Sequence, residues 1–118
     1  MGELKKQSLD GNVETIILAE LVEGPSYGYA LVRAINARHA GLLALGEGTV
    51  YPVLHRMEEK GLLVAEVRRM ESGRDRKYYR MSTAGKKVLQ ENLCQWSTLA
   101  EVMNRIQETT SQPRLVTE

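Results

Sequence analysis

Apolar residues return at helical spacing early in the chain. Between residue 9 or 10 and residue 21, Val13, Ile16, Ile17, Leu18 and Leu21 fall on one face and predict a first helix. Gly24-Pro25 ends it, because proline pushes the residue before it out of the α region. Ser26 reads as the N-cap of a second helix reaching about His39, with Tyr29, Leu31, Val32 and Ile35 on its buried side. Gly41 closes that helix. The run Leu42-Leu43-Ala44-Leu45 fits a short strand and an irregular apolar turn equally well. A third helix is expected to begin near Thr49, since Pro52 cannot donate to the carbonyl of Gly48, and to run to Lys60. Gly61 supplies its left-handed C-cap. Val50, Val53, Leu54 and Met57 form the buried stripe of this helix, leaving Thr49, Tyr51, His55, Arg56 and Glu59 outward.

The period then changes. Residues 63–70 and 77–82 alternate as two strands should, and Ser72-Gly73 supplies the turn between them. Ser82 or Thr83 caps a last helix that runs to about Glu108. Its apolar positions Leu89, Leu93, Trp96, Ala100 and Met103 are spaced 4, 3, 4 and 3, the rhythm of a helix seam, and Leu99 and Ile106 widen it. Residues 1–8 form a loose polar lead-in, and 109–118, polar and containing Pro113, are expected to be mobile. The pattern is mainly α with a small β-hairpin (α+β). It predicts a winged helix-turn-helix over residues 1–82 and a long C-terminal dimerisation helix over 83–108. The seam exceeds what the remaining chain can cover, so it predicts a homodimer about a two-fold axis.

Composition narrows the partners. A chain of 118 residues with 42% apolar and 26% charged residues is one globular domain of ordinary usage. The net charge is only +1, yet Arg68, Arg69, Arg74, Arg76, Lys77, Arg80, Lys86 and Lys87 face only Glu71 and Asp75 in the stretch 68–87. Such a local excess can hold a polyanion although the whole chain is nearly neutral. The lone cysteine, Cys94, excludes an intrachain disulfide and a multi-cysteine metal site; it is expected to fill the seam as a small buried residue. The polar N-terminus carries no signal peptide, and the run 16–22 is short and broken by Glu20, so a cytosolic protein without a membrane span is expected.

Gly28-Tyr29, Glu47-Gly48-Thr49-Val50-Tyr51-Pro52, the run LHRMEEKGL at 54–62 and GRDRKYY at 73–79 with Ser82-Thr83-Ala84-Gly85 behind it occur in one order and spacing. Together they resemble the PadR family, the phenolic-acid decarboxylase repressors, over roughly residues 9–106. With a single C-terminal helix the chain is similar to the short subfamily. The resemblance implies a winged-helix domain, a homodimer held by the last helix, and repression at inverted-repeat operators. Two departures stand out: Met81-Ser82 replaces the usual Leu-Thr, and Asp75 interrupts the basic run of the wing.

Double-stranded DNA gives these residues roles. An α-helix fits the major groove, where base edges carry a full donor and acceptor code. Thr49 and Tyr51 suit phosphate or thymine-methyl contacts, and His55 and Arg56 suit phosphates or bases. Arg74, Arg76 and Lys77 on the wing suit the backbone or the flanking minor groove. Tyr51 packed on the hairpin and His55 as a plain surface histidine are the bland alternatives. Tyr78 and Tyr79 alternate faces, so one belongs to the core. Trp96 reads both as an interface anchor and as a stacking platform for a planar aromatic or phenolic effector, which some short PadR-like regulators bind between subunits. With only His39 and His55, no nucleophile–base pairing by spacing and an incomplete Gly46-x-Gly48, no enzyme, cofactor or metal site is expected. The competing function is a winged-helix docking module that binds protein and not DNA.

Overall fold

The helical rhythm near the N-terminus becomes α1, Val13–Glu20, extended by a 3-10 turn at Leu21–Glu23. The structure is a computed structural model that describes residues 3–4, 9 and 11–110. Most of the lead-in and residues 111–118 of the tail lie outside those residues. The first helix starts at Val13, after a turn at Gly11-Asn12 and later than expected, and Leu9 is buried beside it.

After Pro25 the chain does not enter a helix at Ser26. Ser26–Tyr27 form a two-residue strand, β1, and the second helix, α2, is Gly28–Arg38 with Tyr27 at its N-cap position. The correction has a tertiary cause: Ser26 pairs with Tyr79 and Tyr27 with Tyr78, so a neighbouring strand claims the backbone that a cap would have used. Tyr29 is also corrected. It stands 50% exposed, with Arg33 lying 5.7 Å from its ring centroid, whereas Leu31, Val32 and Ile35 are buried as expected. The 42–45 run is an irregular turn that buries Leu43 and Leu45. Asn36 pins it with both amide atoms, donating to the Leu45 carbonyl and accepting from the Leu45 N–H, each at 2.7 Å.

The third helix, α3, is Glu47–Glu59. It begins two residues before Thr49 and carries Pro52 inside it. The Thr49 and Val50 N–H groups both donate to the Gly46 carbonyl at 3.1 Å. The bond Pro52 cannot make leaves the Gly48 carbonyl to solvent, where an exposed glycine tolerates the loss. Gly61 ends the helix at φ +78°.

Two strands follow, β2 at Leu63–Arg69 and β3 at Asp75–Met81, and β3 lies between β1 and β2 in a three-stranded antiparallel sheet. The predicted hairpin thus gains a third strand. Its loop closes through Gly73, whose N–H donates to the Met70 carbonyl at 2.9 Å and whose φ of +86° favours glycine. Period-two alternation sends Leu63 and Tyr79 into the core and Tyr78 to the opposite face.

The last helix, α4, is Thr83–Thr110. Ser82 caps it, accepting from the Gly85 N–H at 3.0 Å, and its hydroxyl donates to the Gly61 carbonyl at 2.6 Å. One serine thus staples the end of α3 to the start of α4. A side chain at Gly85 would run into the Leu62 carbonyl, so only glycine permits the approach. Ile17, Leu18, Leu31, Ile35, Val50, Leu54 and Met57 form the fully buried centre, between the first three helices and the inner face of the sheet.

Candidate nucleic-acid interface

α3 has one buried side and three accessible ones, set by its 3.6-residue period. With Val50, Val53, Leu54 and Met57 inward, Pro52 and His55 lie opposite the core, both exposed. Thr49 and Arg56, seven residues apart, share one flank; they border a notch of about 480 Å³ with Lys60 and Glu14, which pair at 2.7 Å. Tyr51 and Glu58 share the other flank, beside the sheet.

That second flank is occupied. The Tyr51 ring fills the space that a side chain at Gly28 would need, so it lies half-buried against the start of α2. Burial, then the nearby Glu47 carboxylate and Tyr79, hold its phenol above the ordinary range. Lys77 reaches from β3 to Glu58 at 2.9 Å, and its ammonium lies 5.3 Å from the Tyr79 ring centroid. The hydrogen bond that Lys77 donates to Glu58 raises its pKa, although burial opposes it. The hairpin and α3 are therefore tied by an ion pair.

The wing's other cations divide into two sets. Arg69 is held by Asp75 at 3.2 Å, so the acid that interrupts the basic run neutralises its direct strand partner. Arg74 is exposed in the loop. Arg76 lies over the Tyr27 ring at 4.0 Å. Among the described residues neither Arg74 nor Arg76 has a carboxylate within ion-pair distance. Arg68 lies over Tyr78 at 4.1 Å, and Glu66 is 3.6 Å from it.

Thr49, His55, Arg56 and Arg74 are thus open to a partner, while Tyr51, Arg76 and Lys77 are engaged within the chain. Sequence reasoning missed Glu58 and Tyr27, and counted Arg68 only as one cation of the basic stretch. The spacing of seven between Tyr51 and Glu58 put them on one helix flank, but the partner strand was needed to reveal what they meet.

α4 carries the second candidate surface. Leu89 is buried against its own domain, so it is a core residue and not part of an open seam. Asn92 donates to the Thr15 hydroxyl at 2.9 Å. Beyond it Leu93, Trp96 and Met103 stand open, Trp96 at 59%, and Ala100 is half-covered. Cys94, expected to be buried, is exposed: no described residue covers it. Leu93 and Trp96 also border an apolar hollow of about 470 Å³ with Leu4, Leu9 and Ile16. Among the described residues no helix is long and apolar enough to cross a membrane, and no three His, Cys, Asp or Glu side chains are placed to hold a metal.

Comparison with known proteins converges on one group. Residues 17–91 match the model of the transcriptional regulator PadR-like family. Over 76 residues, 64% of this chain and 67% of the relative, the sequence is 51% identical to the transcriptional regulator Rv3488 of Mycobacterium tuberculosis. A transcriptional regulator from Clostridium thermocellum superposes with a TM-score of 0.79 at 30% identity, covering 86% of this chain and 96% of that one. A PadR family transcriptional regulator from Eggerthella lenta gives 0.76 at 36% identity, covering 87% and 88%.

Proposed function

Since the chain belongs to the PadR-like family of transcriptional regulators, and so is a regulator and not an enzyme, we propose that it works in the cytosol as a homodimer that represses transcription from an inverted-repeat operator. The observation that carries DNA binding is unspent charge. Arg56, Arg74 and Arg76 have no carboxylate partner among the described residues, on a domain whose other cations at this edge are largely paired. Thr49, His55 and Arg56 of α3 face the major groove in this reading, and Arg74 and Arg76 meet the backbone beside it. Tyr51 and Lys77 contribute by fixing the helix and the wing to each other.

The dimer follows from the apolar stripe. Leu93, Trp96, Leu99, Val102, Met103 and Ile106 are each roughly half exposed on one helix, a patch that isolated soluble chains seldom leave bare. Two such stripes packed about a two-fold axis present two reading helices to half-sites about one turn, ~10 bp, apart. In this reading Trp96 stacks a planar aromatic or phenolic effector at that seam, shifting the population of binding-competent dimers; the hollow beside it supports this.

Selection of bound sites from a random duplex library with the purified protein, alongside its mass in solution, tests the reading. A recovered palindrome bound by a dimer supports it. No duplex bound even at low salt, where counterion release most favours association, turns the assignment to a protein-docking module. Quenching of Trp96 fluorescence by planar phenolic compounds supports the effector role, and silence across a broad panel removes it.

A further inference from the structure

The sheet has an outer face that the core does not use, and its register sets what stands there. Arg68 on β2 lies directly opposite Arg76 on β3, while Tyr78 and, on the neighbouring strand, Tyr27 form the next row. The two tyrosine rings meet edge to face at 5.4 Å and 67°. Each guanidinium is laid on one of them: Arg68 on Tyr78 at 4.1 Å, Arg76 on Tyr27 at 4.0 Å. Like charges directly opposite on a sheet are destabilising. Glu66, 3.6 Å from Arg68, is the carboxylate that the described residues place against this pair.

The stacking geometry says what the pair is good for. A ring engages the face of a guanidinium and leaves its N–H edge free, and that edge is the part that forks onto phosphate. Stacking also removes rotamer freedom before any partner arrives. From this we infer that Tyr27 and Tyr78 are positioning residues for DNA binding: they hold Arg76 and Arg68 as a paired, pre-set grip for backbone phosphate on the outer face of the wing. The inference rests on the proposed DNA-binding function and deepens it. Because Tyr27 immediately precedes α2, the ladder also ties the wing to the helix-turn-helix.

The test uses the full chain and the duplex recovered from the random library, with affinity followed by fluorescence anisotropy across a salt series. Tyr27→Leu and Tyr78→Leu are expected to weaken binding by about three- to fivefold, the scale of an exposed cation–π contact. Tyr27→Phe, which keeps the ring face, stays within about twofold by the same reasoning. Arg76→Ala weakens binding and flattens the salt slope by about one. Adding Tyr27→Leu to Arg76→Ala then costs nothing further, a coupling that a general loss of structure would not produce. Arg76→Lys keeps the charge but loses the planar stack and the forked N–H edge, and is expected to bind as weakly as Tyr27→Leu. Wild-type affinity in the leucine variants, additive losses in the double variant, or wild-type binding by Arg76→Lys would overturn the inference while leaving the DNA-binding assignment standing. A wild-type protein that recovers no duplex overturns both.

Discussion

α4 belongs to two different environments. In its first two turns Gly85 lets the helix close on the Leu62 carbonyl, Leu89 is buried, and Ser82 is bonded on both sides. From Leu93 onward the helix is only partly covered, Leu93 and Trp96 bordering the hollow with Leu4, Leu9 and Ile16, and its apolar residues stand half exposed. The contrast teaches that one unbroken helix can be stabilised within the chain at one end and still offer an apolar face at the other, the face to which the proposed dimer is assigned. The compact region buries its apolar residues within itself, whereas the outer turns are apolar in excess of what the described residues pack on them.

Substitutions sharpen or break that contrast. Leu54→Ala, in the closed region, is expected to lower unfolding free energy by about 2–5 kcal/mol in chemical denaturation, independently of protein concentration. Trp96→Ala should instead spare the domain's circular dichroism and weaken self-association by about 2 kcal/mol or more, roughly thirtyfold in dimer Kd by sedimentation. A concentration-independent melt in wild type would erase the contrast. Gly85→Ala should cost about 1–3 kcal/mol of stability, because the obstruction is a backbone carbonyl that cannot swing aside. The smallest effect is the Lys77–Glu58 tie. Both side chains are over a third exposed, so a double-mutant cycle should read below about 1 kcal/mol. Its pH dependence has a definite sign: a raised lysine pKa adds stability that is whole below the ordinary value of 10.5 and is lost as pH rises through the higher folded one. The difference in melting between wild type and Lys77→Met should therefore be equal at pH 6 and 9.

Much of this was legible in the sequence because it is local. Gly61 and Gly73 mark turns by a backbone angle, Ser82 marks a cap by its hydroxyl, and the basic run marks the wing by charge. What escaped depends on partners distant in the chain. Ser26 looks like a cap until Tyr79 pairs with it. Tyr51 looks outward until the bare Gly28 admits its ring. Pro52 argued for a late helix start, but a missing hydrogen bond near an exposed end costs less than the turn that Glu47 and Gly48 add. The stacking of Arg68 and Arg76 needed the strand register, which periodicity does not supply.

The 28 residues of α4 make a rod of about 42 Å. If, as proposed, two copies join along its outer turns and α3 of each reads one operator, the joint sits far from those helices, and leverage follows. A swivel of about 5° at the joint carries the other end of such a rod by about 4 Å, comparable to the ~3.4 Å step between successive base pairs. A repacking too small to disturb either domain would then be enough to put one of them out of step with its half of the operator.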